Sequence, residues 1–383
     1  MSISRLTPIF DEFKLPSFKP NIKDSFMTTY NFFAGPAILP SKVIRQSSEA
    51  LLNFENMGLS IMEISHRSPQ FMSVMKEAQS HVKELLALDD DYSVLFLTGG
   101  ASTQFYMSAL NYLPERGNAS YIDTGAWSSK AIKEAAAIGK VQVIASSKDQ
   151  NYSYIPVDYA IPSDTQYVHF TSNNTIYGTQ FHQLPPTEAP LICDMSSDIF
   201  SKPINMMPYG MIYAGAQKNM GPAGVTLVVL NKNKFQKAER HIPTMLDYDT
   251  HIAKGSMFNT PPVLPIYVSM LTMRWIIAQG GLEAMEVRNS KKAQLLYDAI
   301  DNSRLFNAIV NKKDRSQMNV CFGIEDTALE SSFLKACTSQ RCIGIKGHRS
   351  VGGFRASIYN AMKMEGVEKL VDILSKFDRE HGG

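Results

Sequence analysis

The chain has 383 residues, 44% of them hydrophobic, and its 38 Lys and Arg against 36 Asp and Glu leave a formal net charge of +2. That length predicts two domains with cores large enough to need neither disulfides nor a structural metal. The near-neutral, mixed charge gives no bulk electrostatic ground for a nucleic acid or an anionic membrane as partner, and no apolar run approaches the ~20 residues of a membrane-spanning helix.

Residues 1–28 carry Asp11, Glu12 and Asp24 and no apolar stretch of signal-peptide length, so they are expected to form a flexible extension, with Met27 an alternative start. From residue 93 to 230, short apolar runs alternate with stretches long enough for crossover helices: Ser93–Thr98, Ala119–Asp123, Val141–Ala145, Tyr167–Thr171, Leu191–Met195, Met211–Ala214 and Thr226–Leu230. Continuous rather than alternating hydrophobicity suits strands covered on both faces, which predicts an α/β domain with a mostly parallel sheet. After residue 255, Thr260-Pro261-Pro262 and Pro265 interrupt the chain. Helical patterns (Ile266–Ala278, Leu282–Ile300), a strand (Met318–Ile324) and a terminal helix (Val367–Phe377) then predict a smaller α+β unit. The expected division is an extension over 1–28, a large domain over 29–258 whose first residues pack with the small one, and a small domain over 259–383. Cys193, Cys321, Cys337 and Cys342 match no zinc or redox spacing and read as reduced cytoplasmic thiols; no metal site is expected.

Ligands of open α/β sheets bind at the carboxyl ends of the strands. Five such ends carry unusual residues. Thr98-Gly99-Gly100-Ala101-Ser102 runs from a strand through two glycines into a helix, a place where free N–H groups favour phosphate. Trp127, one of two tryptophans, follows the strand ending at Asp123 and suits stacking on a planar ring. Thr171-Ser172-Asn173-Asn174-Thr175 offers hydroxyl and amide donors. Asp194 is a carboxylate at the end of a buried strand, where it needs a cationic or N–H partner. Lys218 lies among Ala214, Gly215, Ala216, Gly221 and Gly224, whose small side chains clear space for a ligand to reach its amine. Together these meet the demands of pyridoxal 5'-phosphate: a helix N-terminus for its phosphate, an acid for its pyridinium nitrogen, a lysine for its aldehyde.

The strings FAGPAILP, MEISHRS, FLTGGASTQF, DTGAWS, CDMSSD, IYAGAQKNMGPAG, SMFNTPP and KGHRSVGGFRASIYNA, in that order from about Asn31 to the C-terminus, resemble the phosphoserine aminotransferases. These are pyridoxal-phosphate-dependent transaminases of class V and fold type I. The resemblance implies that Lys218 bonds the cofactor, Asp194 pairs with its ring nitrogen, Trp127 stacks on the ring and Thr175 contacts its phenolic-oxygen side. Gln217 and the Ala101-Ser102 turn would hold the phosphate, with Asn259 and Thr260 reaching it from the neighbouring subunit of an obligate homodimer. Arg355 would take the substrate α-carboxylate, and His66, Arg67, His348 and Arg349 the substrate phosphate or the distal carboxylate of L-glutamate. The implied reaction moves an amino group between L-glutamate and 3-phosphohydroxypyruvate, giving O-phospho-L-serine and 2-oxoglutarate, in cytoplasmic serine biosynthesis. Its extension to 4-phosphohydroxythreonine in vitamin B6 synthesis stays open. Two departures stand out. Many members have Gly-Arg where this chain has Ala101-Ser102, and some have a serine where it has Ala34. Competing readings are a cysteine desulfurase carrying persulfide on Cys337 or Cys342, an alanine or serine–glyoxylate transaminase, and a noncatalytic phosphate-ligand binding protein.

Overall fold

The computed structural model describes residues 28–382. The extension expected over 1–28 therefore lies, but for its last residue, outside the described residues. In chain order the elements are β1 (Tyr30–Asn31), α1 (Ser41–Leu52), α2 (Pro69–Leu85), β2 (Tyr92–Leu97), α3 (Gly100–Tyr112), β3 (Asn118–Asp123), α4 (Ala126–Ala136), β4 (Lys140–Ser146), β5 (Thr165–Thr171), β6 (Leu191–Asp194), β7 (Tyr209–Gly215) and β8 (Thr226–Asn231). There follow α5 (Tyr248–Ala253), α6 (Val263–Ala278), α7 (Gly281–Asp301), β9 (Phe306–Ala308), β10 (Asn319–Ile324), α8 (Glu330–Ser339), β11 (Cys342–Ile343), β12 (Phe354–Ser357) and α9 (Met364–His381).

All seven strands expected between 93 and 230 join one sheet in the order β2-β8-β7-β6-β5-β3-β4. The pairs from β4 to β7 are parallel, and β8 runs antiparallel to both its neighbours, so β2 points the same way as β7. Side chains alternate between two apolar layers, as the pleat dictates. Val94, Phe96, Val168 and Phe170 face α2 and α6, packing with Phe71, Val74, Ile266 and Met273. Leu95, Leu97, Tyr121 and Tyr167 face α3 and α4, packing with Phe105 and Ala131. A third core, with Phe32, Leu296, Phe306, Phe322, Phe333, Phe354 and Phe377, surrounds the sheet β12-β10-β9. Helix α9 contributes Val367, Leu370, Leu374 and Phe377 to it at helical spacing.

Three features differ from the sequence expectation. Helical crossovers join only β2 to β3 and β3 to β4; the links β5–β6 and β6–β7 are irregular, being broken by Pro185, Pro186 and Pro190 and by Pro203 and Pro208, which lack the N–H a helix needs. Strand β4 is a sheet edge with Val143 47% exposed, so it is not covered on both faces. The apolar cores also divide the chain later than 258/259. Helix α6 and the start of α7 (Leu282, Met285) pack with the large sheet, whereas Ala293, Leu296 and Ile300 of α7 enter the third core. Tyr30 and Asn31 pair in parallel with Cys342 and Ile343, tying the start of the described chain to the smaller unit.

Candidate active site

Because β2, β3, β5, β6 and β7 point one way, the segments after them share a sheet edge. At the end of β6, Asp194 is 4% exposed, and its Oδ1 accepts from the N–H (3.0 Å) and Oγ (2.6 Å) of Ser196. Ser196 Oγ in turn accepts from Gly215 N at the end of β7 (3.0 Å), which fixes the two strand ends to each other. No ion pair reaches Asp194 among the described residues. Burial pushes its carboxyl above the usual value, against the pull of nearby Lys218 and of Ser196. Beyond β7, burial lowers the Lys218 amine, Asp194 opposes that, and the Arg355 guanidinium lowers it further. The stem of Lys218 runs past Gly35, where an added Cβ would meet Lys218 Cγ at 3.4 Å, and Ala37 N donates to the Gln217 carbonyl (2.9 Å).

Trp127 is the second residue of α4, and its position is set by Asp123 at the end of β3. That carboxylate accepts from Ser128 Oγ (3.0 Å), Ser129 Oγ (2.8 Å) and Tyr152 Oη (3.2 Å), anchoring the first turn of the helix. The Trp127 ring centroid is 5.3 Å from Lys218 Nζ and 4.6 Å from Lys130 Nζ. Its indole N–H donates to Thr175 Oγ1 (3.0 Å), and the Thr175 carbonyl accepts from Arg355 Nη1 (2.8 Å). Thr175 thus joins the stacking group to the guanidinium while its own hydroxyl proton stays free to donate. Arg355 Nε is buried with no acceptor. His348 is held below the usual imidazole range by burial and by Arg355, Arg349 and Lys130. Among the described residues none of the three cations Arg355, Arg349 and Lys130 has a carboxylate partner, so the arrangement is a field that calls for an anion.

The other expected residues lie on the turn into α3 and on the loops before α2 and α6. Gly99 adopts φ +94°, and a Cβ there would fall 2.0 Å from Thr103 Oγ1, so the turn into α3 requires glycine. Ala101 is half-buried and Ser102 exposed on the first turn of α3. Asn259 and Thr260 are exposed and line a cavity of about 160 Å³ with Gly99 and Thr103. His66 and Arg67 lie on the loop before α2; Arg67 is exposed, and the buried His66 Nε2 has no hydrogen-bond partner. Arg355 hydrogen-bonds Thr175 and His348 hydrogen-bonds Ser350, and among the described residues no hydrogen bond or ion pair links either to these four side chains. Sequence reasoning did not single out Ser196, Gly35 or Lys130. A Pro-flanked Gly in FAGPAILP was visible in the sequence, but a lysine on an exposed helical turn carries no mark of its neighbours.

The residues fit pyridoxal 5'-phosphate on two observations: a buried carboxylate whose partners leave room for a cation, and a lysine of lowered basicity beside an indole and Arg355. The thiols fit persulfide chemistry poorly, since burial pushes Cys337 up to about 12 and Cys342 up to about 11, away from the reactive thiolate. Among the described residues no cluster of His, Cys, Asp and Glu is arranged to hold a metal, and no helix is long and apolar enough to cross a membrane.

The family model described as Aminotransferase class-V matches residues 29–370. The phosphoserine aminotransferase of Parabacteroides distasonis is 53% identical over 357 residues, covering 93% of this chain and 100% of that protein. A solved phosphoserine aminotransferase from Bacillus circulans subsp. alkalophilus superposes with a TM-score of 0.89 at 45% identity, over 92% of this chain and 99% of that one. The PLP-bound phosphoserine aminotransferase from Trichomonas vaginalis does so with a TM-score of 0.87 at 35% identity, over 91% and 99%.

Proposed function

The chain belongs to the class-V aminotransferase family, and on that premise we propose that it transfers the amino group between L-glutamate and 3-phosphohydroxypyruvate, giving O-phospho-L-serine and 2-oxoglutarate for serine synthesis. Its α/β architecture is that of the fold type I pyridoxal-phosphate enzymes. The observation that carries the reading is the placement of Asp194 and Lys218 at adjacent strand ends beneath cations that lack carboxylates.

When bound, pyridoxal 5'-phosphate supplies a conjugated aldehyde and an electron-withdrawing ring. Asp194 would hold a proton on the ring nitrogen, its carboxylate kept in register by Ser196. Trp127 would stack on the ring and Thr175 would donate its free hydroxyl proton to the phenolic oxygen. The amides of the α3 first turn at Ala101 and Ser102, with Gln217, would hold the phosphate; Ser102 does so here without the arginine of other members. Lys218 would hold the cofactor through its aldehyde carbon and would take and return the proton at the substrate Cα. Its lowered basicity leaves more of it as free amine for that task. Arg355 has its unpartnered Nε to offer an α-carboxylate, while its Nη1 stays on Thr175. His348, Arg349 and Lys130 would receive the substrate phosphate.

Asn259, Thr260, His66 and Arg67 fit the scheme as residues lent across a homodimer. Beside them, Met57, Leu59, Met62 and Phe258 turn apolar side chains to solvent, with Met62 63% exposed. A second copy covering these segments would bring Asn259 and Thr260 of the partner subunit to the cofactor phosphate. Four unpaired cysteines support a cytoplasmic setting.

The test supplies purified holoprotein with L-glutamate and, as competing acceptors, 3-phosphohydroxypyruvate, pyruvate and glyoxylate. Phosphoserine should form in preference, and Lys218→Ala should abolish turnover. Equal use of glyoxylate, or a Lys218→Ala protein with full turnover, would overturn the reading.

A further inference from the structure

Behind the reacting face, the segments that follow Asp194, Lys218 and Arg355 meet in one buried polar knot. The segment after Asp194 turns at Phe200, which sits in the left-handed region at φ +58°, an unusual conformation for an aromatic residue. Three consecutive carbonyls of that turn each accept from a different asparagine. Ile199 O takes Asn219 Nδ2 (2.6 Å), Phe200 O takes Asn360 Nδ2 (2.8 Å) and Ser201 O takes Asn289 Nδ2 (3.0 Å). The asparagines also bind one another: Asn360 N donates to Asn219 Oδ1 (3.0 Å), and Asn289 Nδ2 donates to Asn360 Oδ1 (2.8 Å). All three are at most 6% exposed. One turn along α7 from Asn289, Lys292 Nζ donates to the carbonyls of Ile358 (2.8 Å) and Tyr359 (2.7 Å), holding the chain that leads into Asn360.

Asn219 is the neighbour of Lys218 in the chain, Asn360 lies five residues after Arg355, and Asn289 belongs to the helix shared by the two units. A turn that only closed the fold could be capped by water or by its own backbone. Here its carbonyls are assigned to three separate elements, two of which carry site residues, and every donor is buried where losing it leaves an unsatisfied group. We propose that Asn219, Asn289 and Asn360 are positioning residues that set the Lys218 amine at its working distance from Asp194 and Arg355, so that the smaller unit aligns the reacting lysine. This inference rests on Lys218 being the reacting residue.

Asn360→Ala and Asn289→Ala test it in the holoenzyme. Displacements on the scale of an ångström at a reacting group cost on the order of 100-fold in rate. Asn360→Ala should therefore lower kcat by roughly 10- to 100-fold for glutamate and phosphoserine alike, with KM for each changed by less than about 3-fold. The absorbance-monitored pH titration of the lysine-bound cofactor should shift as well. Asn289→Ala, one hydrogen bond more remote, should move both quantities the same way by less. Should Asn360→Ala fail to fold, Asn219→Ser and Asn289→Ala carry the comparison. A lowered Tm with kcat and the titration unchanged in the folded variants would show the knot to be structural only and overturn the proposal. A wild-type protein unable to transaminate, or a Lys218→Ala protein able to, would instead remove the functional reading on which it rests.

Discussion

Asp194 and Lys218 are each pushed by burial toward their neutral forms, and each pulls the other back. Arg355 adds to the push on Lys218, so Arg355→Met should raise the Lys218 pKa. An amine reagent applied to the protein freed of cofactor should then label Lys218 more slowly near neutral pH than in the wild type, as read by peptide mass spectrometry. The same variant should raise KM for both glutamate and phosphoserine, because both carry an α-carboxylate. Lys130 belongs to the same field: Lys130→Met should raise the His348 pKa, measured by NMR, and raise KM for phosphoserine more than for glutamate, whose distal carboxylate carries less charge than a phosphate. Thr175→Val removes the acceptor of the Trp127 N–H; an unsatisfied buried donor costs about 1–3 kcal/mol, which should appear as roughly 10-fold weaker cofactor retention and altered Trp127 fluorescence. Lys218, Asp194, Trp127 and Thr175 were legible in the sequence because each closes or follows an apolar run. Ser196 and Lys130 were not, since a serine in a loop and a lysine on a helix look alike whether or not they face a site.

At the scale of elements, α7 is unusual in burying a lysine without a carboxylate. Burial, with Arg288 nearby, lowers Lys292 to about 7, and a neutral amine has just two N–H groups for the two carbonyls it meets. From about pH 7 to the ordinary lysine value of 10.5 the unfolded chain binds a proton there that the folded chain does not, so folding stability should rise with pH across that window. Urea titrations at pH 7 and pH 9 should show wild type gaining on the order of 2 kcal/mol relative to Lys292→Met. The irregular links from β5 to β6 and β6 to β7 belong to this scale too. Length alone suggested helices, but their prolines and polar side chains produced the loops that place Thr175 and Ser196.

For the whole molecule, the exposed apolar side chains beside His66, Arg67, Asn259 and Thr260 predict a dimer in solution, checked by sedimentation. If the sites are shared, co-refolding inactive Lys218→Ala with inactive Arg67→Ala should restore about a quarter of wild-type activity, since half the dimers then hold one intact site. No recovery in a verified heterodimer would place Arg67 in its own subunit's site. Sharing of that kind would be hidden from any pattern in a single chain, because the residues concerned would meet only across a symmetry axis.

The sequence by itself determined the α/β class, the seven strands and the chemistry at their ends. Hydrophobic periodicity is local, and the direction of a parallel sheet then brings successive strand ends to one edge. Only the tertiary structure decided which of those residues touch. It assigned α6 to the large core and Tyr30–Phe32 to the small one, joined Thr175 to both Trp127 and Arg355, and gathered Asn219, Asn289 and Asn360 around one turn. Those asparagines are separated by 70 residues or more in the chain. Buried hydrogen bonds between such distant residues are specified by how the layers pack, and no local pattern encodes that.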